Sequence, residues 1–328
     1  MMKLVSFHDG NEIKTGLIQN DIVIDLYEAT DGALPKDILS LIGRGDEALE
    51  KISGLGMFSE GDKGVRVLND VTLKAPIPRP VSIRDFYAFE EHVKTARKKR
   101  GLDVVPEWYV IPVFYFTNHL AVKGPDEAVA GPADCQWLDY ELEIACVIGK
   151  EGRNISSEDA EDHIYGYFIM NDWSARDIQK QEMKVGLGPA KGKDFATSFG
   201  PYLVTKDELE AKRTGDRFDL SMTAKVNGKL LSEGNFKDIY YTFADMIERA
   251  SKDVTLYPGE VIGSGTVGSG CILELGTETH RWLKAGDEVE LEIEGLGVLR
   301  NKVASSREEE NHVLPQNGGD PSQTSHHV

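Results

Sequence analysis

Three prolines within five positions, Pro76, Pro78 and Pro80, constrain most strongly what this chain can fold into. Proline fixes φ, lacks an amide proton and pushes the preceding residue into extended conformation, so residues 73–80 cannot form a helix and favour an extended path. The stretch reads as an extended connector between two units. Ahead of it, residues 3–7 and 22–26 carry strand-forming side chains separated by the turn signals Asp9-Gly10 and Gln19-Asn20-Asp21. Residues 36–52 repeat apolar side chains at helical spacing, interrupted by Gly43-Arg44-Gly45, which predicts two short helices. Residues 1–75 are therefore expected to form a small N-terminal α/β cap domain.

After the connector, strand patterns dominate: residues 108–116, 140–148, 165–170, 220–226, 271–275 and 289–293 are expected as strands, with helices near 86–100 and 241–252. This predicts a large, β-rich α+β domain over 76–303. Residues 304–328 hold few apolar side chains and are expected to be a flexible polar tail.

Charge and cysteine content narrow the partners. The 328 residues carry 37 Lys and Arg against 55 Asp and Glu, a net charge of −18 with no long basic run. That balance argues against nucleic acid or an anionic membrane, whose phosphates must be neutralised by Lys and Arg. A small molecule is the expected partner. Three cysteines without a CxxC pair suggest neither a zinc cluster nor a disulfide scaffold. With no leader-like start and no apolar run near the ~20 residues of a spanning helix, a cytoplasmic protein is expected.

Four places carry possible chemistry. Asp139, Glu141 and Glu143 alternate along Leu138-Asp-Tyr-Glu-Leu-Glu-Ile144, so a regular strand would place all three carboxylates on one face. That face is either solvated or one wall of a site for a hard cation, which prefers several carboxylate oxygens. Asp172 ends the apolar run Tyr165-Gly-Tyr-Phe-Ile-Met-Asn-Asp172, where it either caps the next helix or serves as a ligand. Arg176, Gln179 and Lys193 follow, donors suited to an anionic substrate or a developing oxyanion. His92 is either a surface histidine on an amphipathic helix or a base, and Glu274, set in an apolar strand, is either half-exposed or a buried acid needing a partner such as His92.

Taken together, Asp85-Phe-Tyr-Ala-Phe-Glu-Glu-His92, Glu141-Leu-Glu143, Asn171-Asp-Trp-Ser-Ala-Arg-Asp-Ile-Gln179, Gly192-Lys193, Ser264-Gly-Thr266 and the string from Gly286 to Asn301 resemble the fumarylacetoacetate hydrolase family. The resemblance runs from about Pro76 to Val303. It implies a mixed β-roll or sandwich catalytic domain, usually a homodimer, with one divalent cation, Mg²⁺ or else Ca²⁺ or Mn²⁺. By motif position it implies Asp85, Glu141, Glu143 and Asp172 as metal ligands, while Asp139 matches no ligand and is expected to face solvent. It further implies His92 as the base that activates water with Glu274 orienting it. Arg176, Gln179 and Lys193 would stabilise the oxyanion or leaving enolate, and Tyr87, Tyr115 and Thr266 would touch substrate.

The expected activity is hydrolysis of a carbon–carbon bond in a β-dicarbonyl acid of the fumarylacetoacetate or acylpyruvate type, as in tyrosine or other aromatic-compound breakdown. Such a bond breaks with departure of an enolate, whose charge a cation lowers. Met183 stands where the eukaryotic members carry a substrate-contacting tyrosine. An oxaloacetate decarboxylase, a hydroxymuconate-type isomerase and a silent ligand-binding homologue are the alternative readings.

Overall fold

The computed structural model describes residues 2–306, so most of the expected polar tail lies outside the described residues. The protein is β-rich with a few helices, an α+β architecture, and two sheets account for most of its strands. In the larger, twelve-stranded sheet the order from one edge is Phe114–Phe116, Ile83–Phe86, Val261–Gly263, Leu142–Ile148, Ile164–Asp172 and Thr197–Thr205. The path continues through Lys3–Asp9, Glu12–Gln19 and Ile22–Asp25, because Lys3 and Leu4 pair with Val204 and Leu203. The N-terminal strands thus extend the same sheet through hydrogen bonds.

A second, five-stranded sheet contains Ser221–Val226, Glu288–Ile293 and Gly297–Ala304. The Leu142–Ile148 strand explains how the two sheets pack. Successive side chains on a strand point to opposite faces. Ile144, Cys146 and Ile148 join the core shared with Met222, Ala224, Leu291 and Ile293 of the second sheet. Ala145 and Val147 point the other way, into a core shared with Phe168, Met170, Phe199 and the N-terminal helical residues Ile38, Leu41 and Ile42. A strand buried on both faces reads as a continuous apolar run, as this one does. The expected pair of short helices is present as Ile38–Gly43 and Asp46–Ser53.

Two of the expected strands differ. Within 108–116 only Phe114–Phe116 is a strand; Pro106 opens a 3₁₀ turn, and Trp108 is held there because its indole N–H donates to the Tyr87 carbonyl at 2.8 Å. Residues 271–275 are not a strand either. Ile272–Leu275 forms one helical turn whose first two amides donate to the Asp139 carboxylate, bonds that a strand would spend on a neighbouring strand. Among the described residues no helix is long and apolar enough to cross a membrane.

The N-terminal core depends on an aromatic contact in the large sheet, with the Phe168 and Phe199 rings 4.6 Å apart and both fully buried. Phe168→Ala is expected to cost roughly 3–5 kcal/mol, measured as a lower urea midpoint with an unchanged slope.

Candidate active site

The large sheet brings four carboxylates to one point. Glu143 is the second residue of the Leu142–Ile148 strand and pairs across to Met170, while Asp172 is the last residue of the adjacent strand. Glu141 sits just before its strand, where its amide donates to the Asn171 side-chain oxygen at 2.9 Å. Asp85 comes from the Ile83–Phe86 strand, opposite Gly263. That position needs glycine, since a Cβ there would stand 2.6 Å from Asp85 Oδ1. One oxygen from each of Asp85, Glu141, Glu143 and Asp172 lies within 4.8 Å of the others, and none of the four residues is more than 5% exposed.

Partial neutralisation makes this crowding tolerable. Lys193 Nζ donates to Glu141 Oε2 at 2.5 Å and to Asp172 Oδ2 at 2.7 Å, and Arg176 Nη2 lies 2.8 Å from Glu141 Oε1. Burial works against charge on Glu141, yet Lys193 and Arg176 outweigh it and hold the carboxyl well below the usual range. Asp85 and Glu143 go the other way. Burial, then the neighbouring carboxylates, push both well above the usual range. Burial likewise raises Asp172, with the Glu141 charge adding to it and Lys193 opposing. Lys193 itself stays protonated because Asp172 and Glu141 outweigh the cost of its burial.

The donor set fits a divalent cation. Glu143 Oε2 and Asp172 Oδ1 are buried without a hydrogen-bond partner, and buried oxygens of that kind are costly unless something binds them. Oxygen-only ligation by several carboxylates suits Mg²⁺, Ca²⁺ or Mn²⁺. A second acidic group in the N-terminal strands, Asp9, Asp25 and Glu28, is different in kind. There Lys14 Nζ stands 2.7, 2.9 and 2.7 Å from the three carboxylates and takes the place of an ion.

Beside the carboxylates lies a histidine–glutamate pair. The helix Glu90–Lys99 has Glu90 and Glu91 in its first turn and Arg97, Lys98 and Lys99 in its last, matching its dipole. It turns His92, Val93 and Ala96 inward. His92 Nδ1 is 2.8 Å from Glu274 Oε2, with both side chains buried, and the Tyr87 ring meets the imidazole edge-on at 5.3 Å. Glu274 Oε1 also accepts from the Ser269 amide at 3.2 Å, and the Cys271 thiol donates to Oε2 at 3.5 Å. Asp85, Glu141, Glu143, Lys193, His92 and Thr266 all line one cavity of about 1040 Å³. Met183, Trp108, Trp137 and Trp282 contribute to its outer walls.

The cavity gathers every residue singled out in the sequence except Asp139, Asp172 and Glu274, each of which bonds to a residue lining it. Several play parts other than those expected. Tyr115 donates its hydroxyl to Asp172 Oδ2 at 2.5 Å and Thr266 donates to Glu143 Oε1 at 3.3 Å, so both also brace carboxylates. Arg176 spends Nε on Asp139 and Nη1 on the Gln179 oxygen as well as Nη2 on Glu141, which makes it a clamp and leaves the Gln179 amide nitrogen for the cavity. Asp139 does not face solvent. It is fully buried, because the chain departs from strand geometry at Tyr140 and Glu141 and turns Asp139 toward Arg176 and the amides of Ile272 and Leu273. Asn171 and Cys271 were not singled out; Asn171 could have been suspected only from its place beside Asp172.

Residues 82–304 match the family model described as fumarylacetoacetate (FAA) hydrolase C-terminal. Among curated relatives, the oxaloacetate tautomerase YisK of Bacillus subtilis (strain 168) is 29% identical over 315 residues, covering 92% of this chain and 100% of that protein. The mitochondrial oxaloacetate tautomerase FAHD2A of Homo sapiens is 33% identical over 284 residues, covering 86% of this chain and 83% of its own. Among solved structures, fumarylacetoacetate hydrolase from psychrophilic Exiguobacterium antarcticum superposes with a TM-score of 0.71 at 27% identity, covering 93% of this chain and 100% of that one.

The raised Glu143 pKa has a measurable consequence. A folded carboxyl raised above its unfolded value of about 4.3 contributes stability that is complete below that value and lost as pH rises toward the folded one. Glu143→Gln mimics the protonated form. In chelator-treated protein the variant is expected to exceed the parent in unfolding free energy, by a margin that grows as pH rises above about 4.3. Added Mg²⁺ should stabilise the parent and not the variant, which urea titration of both proteins checks.

Proposed function

The chain belongs to the fumarylacetoacetate hydrolase family, and from that premise we propose that it is a divalent-cation-dependent acid–base enzyme acting on a β-dicarbonyl acid, with keto–enol interconversion of oxaloacetate as its reaction. The observation that carries this reading is a carboxylate-backed histidine sharing one cavity with the partly neutralised carboxylate centre. Support for oxaloacetate comes from the two tautomerases, each alike over most of this chain.

Asp85, Glu141, Glu143 and Asp172 would hold the cation. When bound, it would supply a Lewis acid for the oxygens of a 2-oxo acid. With Nδ1 engaged by Glu274, His92 has Nε2 left to take a proton from the carbon between the two carbonyls, and Glu274 stabilises the imidazolium that results. The enolate oxygen then takes a proton from solvent to give the enol while the imidazolium gives its proton back to solvent, and in the reverse direction the same nitrogen delivers a proton to carbon. Lys193 uses two of its three N–H bonds on Glu141 and Asp172, which leaves one to donate to an enolate oxygen. The Gln179 amide nitrogen offers a further donor to the substrate carboxylate. Tyr87 keeps its phenol neutral, because burial pushes its pKa up to about 12.

A second reading, hydrolysis of a carbon–carbon bond, is favoured by the same His92–Glu274 pair and by room in the cavity for a water beside a substrate longer than oxaloacetate. Both readings share proton transfer at His92 and differ in whether water attacks a carbonyl.

The deciding experiment offers oxaloacetate and an acylpyruvate to chelator-stripped protein with and without Mg²⁺ or Mn²⁺. Cation-restored loss of the enol absorbance of oxaloacetate, faster than the uncatalysed rate, is expected. Cleavage of the acylpyruvate into two acids would move the assignment to the hydrolase, and loss of neither signal would remove both readings. His92→Ala is expected to lower kcat by about 10²–10⁴-fold while leaving Mn²⁺ affinity unchanged, measured by steady-state kinetics and by titration.

A further inference from the structure

The carboxylate centre and the histidine–glutamate pair come from separate parts of the fold. Asp85, Glu143 and Asp172 are held by strands of the large sheet, with Glu141 at the start of one. His92 and Glu274 come from the helix Glu90–Lys99 and the single turn Ile272–Leu275. Any reaction that uses both sets depends on their spacing, and a displacement of about 1 Å can cost on the order of 10²-fold in rate.

One fully buried side chain reaches toward both sets. Asp139 Oδ2 accepts from Arg176 Nε at 2.9 Å, and Arg176 Nη2 stands 2.8 Å from Glu141 Oε1. On the other side, Asp139 Oδ1 accepts from the Ile272 amide at 2.8 Å and Oδ2 from the Leu273 amide at 3.0 Å. Cys271, which precedes that turn, makes no side-chain capping bond, so a carboxylate from more than a hundred residues earlier takes the capping role.

We propose that Asp139 is a positioning residue that ties the Glu141 carboxylate, through Arg176, to the turn carrying Glu274, so that cation binding and the placement of the His92–Glu274 pair are linked. The inference rests on the reading that this pair is the base. Arg176 is divided between two carboxylates. Without the Asp139 charge the guanidinium falls wholly to Glu141, which then has less to offer a cation, while the turn carrying Glu274 loses its cap. With a cation on Glu141, Arg176 is released toward Asp139 and the cap tightens.

Asp139→Asn in the full chain tests both arms. Mn²⁺ dissociation, followed by electron paramagnetic resonance of the free ion, is expected to weaken by about 10-fold, and kcat at saturating Mn²⁺ is expected to fall while KM changes little. Asp139→Glu should recover part of both. A lower unfolding midpoint with unchanged Mn²⁺ affinity and unchanged kcat would overturn the proposal, because a merely structural cap moves only the midpoint. Should the asparagine variant fail to fold, amide hydrogen exchange on the unmodified chain decides instead: Mg²⁺ is expected to slow exchange at Ile272 and Leu273, and equal rates with and without Mg²⁺ would overturn the link. Neither binding nor exchange requires turnover. Loss of the functional reading would show as no reaction with any dicarbonyl acid, leaving the Mn²⁺ and exchange results to stand or fall by themselves.

Discussion

The burial of four carboxylates around a point that protein cations only partly neutralise is the constraint on which this structure depends. Removing like charges from water is expensive, and it persists only where the surroundings hold the groups in place. Lys193 and Arg176 supply part of the counter-charge, and Tyr115, Thr266 and the Gly265 amide each donate to one of the carboxylates. The remainder, marked by the unpartnered Glu143 Oε2 and Asp172 Oδ1, is what a divalent cation would satisfy.

The fold explains why such a centre can be held. The Leu142–Ile148 strand is packed on both faces, and its neighbour Ile164–Asp172 holds it in register from Leu142 to Val147. A strand that cannot tilt or slip keeps its terminal side chains in place. Glu143 and Asp172 lie at ends of such strands, so their positions follow from apolar packing several residues away. Pairing of the Lys3–Asp9 strand with Thr197–Thr205 carries that rigidity into the N-terminal part, and a shared core continues it.

Much of the site was legible in the sequence because its residues fall in short strings, from Asp85 to His92 and from Asn171 to Gln179, where type and spacing survive without knowledge of the fold. Glu141 and Glu143 do come together as their spacing suggested, although Glu141 lies just before the strand that carries Glu143. Strand alternation failed for Asp139, because the regular period of two breaks at Tyr140 and Glu141, where the Glu141 amide turns to Asn171. The strand expected at residues 271–275 failed for a related reason: its apolar composition suits a buried turn as well as a strand, and the choice was made by the Asp139 carboxylate, far away in sequence. Partnerships across long sequence distances leave no local pattern. The pairing of His92 with Glu274 could be named as a possibility, whereas its 2.8 Å geometry required the fold.

The protein answers the problem of crowded carboxylates twice. In the N-terminal strands, Lys14 serves Asp9, Asp25 and Glu28 as a counter-ion tethered to the backbone, always present at a fixed stoichiometry. At the other centre, the part of the compensation that Lys193 and Arg176 do not supply would come from a cation in solution. The two ends of one continuous sheet therefore differ in kind: the first carries its counter-charge within the chain, while the second would draw part of its own from whatever divalent ions surround it.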